Sequence, residues 1–193
     1  MTFQWSDLPS IPKETLVVPG VLGDVVLRSY QPCDRRRALW LYKEGLLTPT
    51  ANPAGSAAEL GQIEEVYLKR PQDHFWVAEM HGDVIAMVGV KEEERQIGHV
   101  RRLRVDPTFV ASSRRELAQI LLRKAAEHAR EHEFLKLVLH KCTAAHDEEA
   151  AAFLHQLGFE FNRARELDGR HLLEFYLNFY EQIQPPQGQS LRD

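Results

Sequence analysis

The chain has 193 residues, 44% of them hydrophobic and 27% charged, and a formal net charge of −4. That length and balance suit a single hydrophobic core in an ordinary globular protein, and the negative charge argues against general affinity for nucleic acid. Two cysteines rule out a disulfide framework and fit a reducing cytoplasm; the N-terminus lacks the basic start and apolar run of a secretory leader, and no stretch reaches the ~20 apolar residues of a membrane helix.

Residues 1–20, with Pro9, Pro12 and Pro19, read as an arm packed on a domain spanning 21–181. Alternation over 25–30 predicts a first strand, and Pro32 with Asp34 starts a helix through 46. Two prolines and a glycine make 48–56 a loop, after which Leu60, Ile63, Val66 and Tyr67 return to helical spacing over 57–70. Glu44, Glu59, Glu64 and Glu65 fall on these amphipathic segments and read as surface residues, though they would suit a cationic amine if they faced a cleft. Strands at 75–80 and 84–90 are joined by His81-Gly82-Asp83, with glycine where a positive φ is needed. Glu92-Glu93-Glu94 reads as a solvated loop leading into the next strand.

That strand, ending Val105-Asp106-Pro107, is the centre of the chain. Strict alternation would point His99, Arg101, Leu103 and Val105 one way and Val100, Arg102 and Arg104 the other, so the arginines would not form a patch. Ser113 and Glu116 have capping-box spacing, and Leu117, Ile120, Leu121, Ala125 and His128 form one stripe of a helix over 113–132. Residues 97–132 carry eight Lys/Arg against four Asp/Glu, a net +4 within an acidic chain. A strand feeding a helix N-terminus, with arginines at the joint, is suited to a small anion such as phosphate. His128 and His132 share a helix face, but no third ligand stands at a metal-motif spacing. A strand at 135–140, a helix at 147–157 closed by Gly158, and strands at 159–166 and 171–179 about Asp168-Gly169 complete the domain. Residues 182–193, with Pro185-Pro186 and polar neighbours, read as a disordered tail.

The 100–107 strand, the helix after it, Lys136-Leu137-Val138-Leu139-His140 and the Leu157-Gly158-Phe159-Glu160 ending together resemble the GCN5-related N-acetyltransferases over about residues 25–180. The resemblance implies an α/β domain of the acyl-CoA N-acyltransferase (GNAT) fold. Its sheet would be mixed but largely antiparallel, with six to seven strands, splayed beside the central strand and flanked by helices on both faces. It implies acetyl-CoA as co-substrate, a small-molecule or peptide amine as acceptor, and a homodimer as a family-level expectation. By position, the Leu103 and Val105 main chain would hold the pantetheine arm, and Ser113, Arg114, Arg115, Glu116, Leu117 and Ala118 would form the pyrophosphate loop. His99 lies where family members carry a proton-accepting residue, and imidazole accepts a proton near neutrality. Two positions depart from the family: the loop motif keeps only Ala118, with Glu116 where glycine is usual, and Leu154 stands where a proton-donating tyrosine is common. A domain of this fold that has lost catalysis and serves in binding or assembly is therefore the alternative reading.

Overall fold

A computed structural model describes residues 16–17, 24–47, 59–143, 148–167 and 170–180. Its strands are β1 (Leu16–Val17), β2 (Asp24–Ser29), β3 (Leu46–Leu47), β4 (His74–Met80), β5 (Asp83–Glu94), β6 (Ile97–Val105), β7 (Lys136–Thr143), β8 (Glu160–Leu167) and β9 (Arg170–Asn178). The helices are α1 (Arg35–Glu44), α2 (Ile63–Tyr67), α3 (Ala111–Glu131) and α4 (Glu148–Gln156). One sheet runs β1-β2-β4-β5-β6-β7-β9-β8, with β3 paired to β6 beside that path. Two of its strands hold two residues each; the other seven match the expected sheet. Among the described residues β6 and β7 are the parallel pair and every other pairing is antiparallel. The expected arm apart from β1 and its flanks, the 48–56 loop, the Asp168-Gly169 turn and the 182–193 tail lie outside the described residues.

Strand alternation divides the core between two faces. On β4, Phe75 and Val77 pack with Ala38, Leu41, Ile63 and Tyr67 of α1 and α2, while Trp76 and Ala78 join Leu117, Leu121 and Ala125 of α3 and Leu154 of α4. Leu117 and Leu121 are fully buried, which stabilises the fold by about 1.5–3 kcal/mol each. His81 and Gly82 both have positive φ, at 53° and 86°, the geometry of a tight hairpin between β4 and β5. Gly158, at φ 81°, closes α4 as expected: its N–H donates to the His155 carbonyl at 2.9 Å.

Several elements differ from the sequence reading, each for a tertiary reason. Of the helix expected over 57–70, the described residues 59–60 and 63–67 are helical, with a break at Gly61-Gln62. Glu92-Glu93-Glu94 is strand, because β5 continues alongside β6 in the pairs Glu92↔Gly98 and Glu94↔Ile97. Glu92 then accepts the Gln96 N–H at 2.8 Å and pairs with Arg70, which fixes the turn. The long helix starts at Ala111, two residues early, with Val110 as a cap that contributes no side-chain bond. The Asp106 carboxylate accepts both the Thr108 N–H (2.8 Å) and its hydroxyl (2.6 Å), so the turn is complete by residue 109 and the Ser113–Glu116 capping box does not form at the helix start.

The largest departure is in β6. Arg102 has φ +56°, and the register against β5 slips between Gly89↔Arg101 and Met87↔Arg104. This bulge inserts one extra residue and reverses the alternation beyond it. Val100, Leu103 and Val105 therefore share the α3 face. Arg101, opposite Gly89 on the Tyr67–Phe75 side, joins Arg102 and Arg104 on the α1 face. The arginines expected on opposite faces stand together.

Candidate active site

Parallel pairing of β6 with β7 runs from Ile97↔Lys136 to Val100↔Leu139 and stops, and on the same edge β3 takes up pairing at Leu47↔Arg104 and Leu46↔Val105. Among the described residues no strand pairs with that edge over 101–103, where the bulge lies. The splay expected beside the central strand is this interval. Gly45 sets its upper end: its N–H donates to Leu41 at 2.8 Å, ending α1, and a Cβ there would collide with the Leu41 carbonyl oxygen. On the α3 side the interval opens on a small apolar cavity of about 40 Å³ lined by Leu103, Ala118, Leu139, Phe153 and Leu154. Leu154 is buried there and carries no proton to donate. Leu103 is buried and its carbonyl accepts from Arg104 Nη1 at 3.1 Å, while Val105 is fully buried between its partners Ala86 and Leu46.

His99 lies one residue before the end of the β6–β7 pairing, opposite Val138. It is 9% exposed and lines a cavity of about 250 Å³ with Val138, Arg163 and Glu174. Its Nδ1 stands 3.6 Å from Glu93, beyond hydrogen-bond reach, and its ring stacks on His140 at 5.6 Å. Burial, and then the charge of His140, push its pKa down, so the ring is neutral and able to accept a proton at pH 7.

Beside it, Arg101 pairs with Glu93 and Arg102 with Glu59. Glu59 also accepts from the Tyr67 hydroxyl at 3.3 Å, so this expected surface carboxylate is turned inward. Arg102 and Arg104 are both 3% exposed and stand 5.7 and 5.6 Å from the Tyr42 ring centroid. Burial lowers the Arg104 pKa to about 10, which leaves it charged at neutrality. Sequence reasoning missed Arg102, Arg104, Tyr42 and Glu59 as a group. The signal for it was three arginines in one strand of an otherwise apolar core.

At the far end of β6, the Asp106 N–H donates to Ile85 at 2.8 Å, and its carboxylate pairs with Arg37. Arg114 donates to the Phe109 carbonyl, so it is tied to the loop rather than solvated. Arg114 N bonds Val110 O at 3.0 Å, which leaves the first helical amides of residues 111–113 as those without intrahelical carbonyls. Ser113 is fully buried, Arg115 exposed and Glu116 half-buried; Leu117 and Ala118 face the core. Of the expected 113–118 span, the amides of 115–118 bond within α3, so the amides left without intrahelical carbonyls lie at the helix start.

The His155 side chain is exposed, and that of Cys142 lies outside the described residues. Near the C-terminal end of α3, ring nitrogens of His128 and His132 and a Glu131 carboxylate oxygen lie within 4.8 Å of one another. His128 bonds the Gln72 carbonyl at 2.8 Å and His132 that of His128 at 2.9 Å. They stand roughly 25 Å along the helix from its start and take no part in the site. No helix among the described residues is long and apolar enough to cross a membrane.

The family described as Acetyltransferase (GNAT) family has a sequence model that matches residues 38–159, more than half of the chain. N-acetylaspartate synthetase of Xenopus tropicalis is 32% identical over 82 residues, 42% of this chain and 29% of that protein. The chain spans under a third of the length of the curated relatives it matches. An acetyltransferase from Streptococcus agalactiae superposes with a TM-score of 0.64 at 16% identity, covering 80% of this chain and 98% of that one. A Bacillus anthracis acetyltransferase solved with acetyl coenzyme A covers 58% of this chain and 66% of its own, with a TM-score of 0.50 and 18% identity.

Proposed function

Because this chain belongs to the acetyltransferase (GNAT) family, we propose that it is an acetyl-CoA-dependent N-acetyltransferase acting on a small-molecule or peptide amine. The observation that carries the reading is the interval in β6: an unpaired strand edge at a bulge, with a proton acceptor at one end and a helix N-terminus beyond the other. Acetyl-CoA supplies the acetyl group as a thioester. Main-chain groups about Leu103 and Val105 hold the pantetheine arm, and the α3 start, residues 111–113 with Arg114 and Arg115 beside them, faces the pyrophosphate. The fit rests on two features: the cap residue Val110 contributes no side-chain bond to that helix start, and the cavity behind Leu103 is apolar.

As the amine nitrogen bonds to the acetyl carbon, His99 takes up the amine proton, directly or through a water. The carbon–sulfur bond breaks with its electron pair on sulfur. Leu154 has no proton to give, so the departing thiolate is protonated by solvent.

One observation favours a second reading, a binding module without catalysis: Arg114 is committed to the Phe109 carbonyl, and β3 covers the Val105 end of the interval. Calorimetric titration with acetyl-CoA separates the two. Micromolar, salt-sensitive binding followed by thiol release with an amine panel supports the enzyme. Binding without thiol release for any amine supports the module. No heat and an unchanged melting temperature at millimolar acetyl-CoA overturns the enzyme and leaves the fold as a binding module; ligand at 100 times its Kd would add about 2.7 kcal/mol of stability.

A further inference from the structure

Three charged side chains and one aromatic ring converge at the interval in β6. Arg102 is nine-tenths buried and more, and only its Nη2 is bound, to Glu59; its Nε and Nη1 have no hydrogen-bond partner. Leaving these donors of a buried cation unmet is unfavourable, and Arg102 is also the residue held at φ +56°, where a side chain is disfavoured. Both costs fall on one residue, in the 101–103 interval where β6 has no strand partner on that edge among the described residues. A second buried guanidinium, Arg104, shares the Tyr42 ring with it. Among the described residues the carboxylate paired with Arg102 is that of Glu59, which binds Nη2. The cluster therefore keeps two unmet donor nitrogens of a buried guanidinium a few residues from the backbone proposed to hold the acetyl donor.

We propose that this cluster binds the carboxylate of the acceptor, so that the amine acetylated belongs to a free amino acid or a closely similar aminocarboxylate. The inference rests on the acetyl-transfer reading above and narrows its acceptor. Arg102 Nε and Nη1 donate to the carboxylate, charge-assisted bonds that are stronger than neutral ones. Glu59, anchored by Tyr67, offers the complementary charge for an ammonium group. Opposite charges in one small site match a zwitterion. A polyamine would meet two guanidinium groups, and an internal lysine of a protein has no carboxylate adjacent to its amine.

The test is a panel in which each amino acid is paired with its carboxamide and its decarboxylated amine. Thiol release from acetyl-CoA is followed, and binding of each compound is measured by calorimetry. The expected result is at least a tenfold preference in kcat/KM for the amino acid. That preference collapses in R102Q through acceptor KM, while the KM for acetyl-CoA is unmoved. R102K keeps a charge for Glu59 but not the free guanidinium nitrogens; if it folds with wild-type melting temperature and loses the preference, recognition rather than folding is at issue. Equal use of the carboxamides or amines, or an R102K that retains the preference, overturns the inference while leaving acetyl transfer intact. If acetyl-CoA does not bind, the functional reading fails separately, and calorimetry still decides: an amino acid that binds wild type but not R102K upholds the carboxylate site, and no binding sinks it.

Discussion

The imidazoles of His99 and His140 stack at 5.6 Å, and each faces a carboxylate of its own: Glu93 lies 3.6 Å from the first, and Glu174 3.0 Å from the second. His140 is one cause of the low His99 pKa, after burial. Replacing His140 by Gln removes that cause of the depression, so the His99 pKa rises toward ~6.5. The acid limb of kcat/KM then moves to higher pH. NMR titration of the His99 ring, read beside the rate profile, checks this; a ring that shifts while the rate limb stays put assigns the base elsewhere.

Asp106 joins the site to the α1 face. Its buried carboxylate holds Arg37, the Thr108 N–H and the Thr108 hydroxyl. Asp106→Ala leaves Arg37 without this partner and frees the turn into α3, at a cost of about 2–4 kcal/mol. Denaturant unfolding measures the loss. Acetyl-CoA affinity falls as well, because the residue 111–113 amides lose their fixed start; unchanged affinity in a folded variant would remove those amides from the site.

Arg102 allows the bulge strain to be weighed. At φ +56° glycine is at ease and alanine is not, while both remove the guanidinium. Arg102→Gly is therefore expected to be more stable than Arg102→Ala by about 1 kcal/mol, read from the two urea midpoints. The reverse order would mean that the bulge relaxes once the arginine is gone.

His128 predicts an acid-labile fold. Burial is the largest cause that pushes its pKa down to about 4, against ~6.5 in an unfolded chain. The unfolded state binds the extra proton first, so this contribution is intact above pH 6.5 and is lost as the pH falls toward 4, by on the order of 2–3 kcal/mol. His128→Gln keeps a donor for the Gln72 carbonyl and does not titrate. Unfolding midpoints at pH 7 and 5 should differ less in that variant than in wild type.

The features that were legible in the sequence are those set by local chemistry. His81-Gly82 and Gly158 need positive φ, and glycine marks both places. The Leu117, Leu121 and Ala125 stripe predicts which side of α3 is buried. Illegible features depend on partners distant in sequence. Three consecutive glutamates read as a loop until Gly98 and Ile97 pair beside them. The bulge was hidden because nothing in Arg101-Arg102-Leu103 forbids ordinary alternation, and with it went the gathering of the arginines. Glu59 read as a surface residue because its partner, Arg102, lies 43 positions away.

The pairing of β3 with β6 has a consequence for size. With the β7 pairing ending at Val100 and the β3 pairing beginning at Arg104, the β6 edge without a strand partner among the described residues is three residues long, roughly 10 Å at the rise of an extended chain. Its lower limit is a four-residue ladder inside the sheet, and its upper limit is a two-residue strand next to the end of α1. The two limits are unequal: four residue pairs hold β6 to β7, while two pairs beside Gly45 hold β3. If the acyl group enters here as proposed, the mouth of the sheet has one fixed jaw and one sliding jaw, and the grip of α1 and Gly45 on the sliding one would set the acyl length that fits.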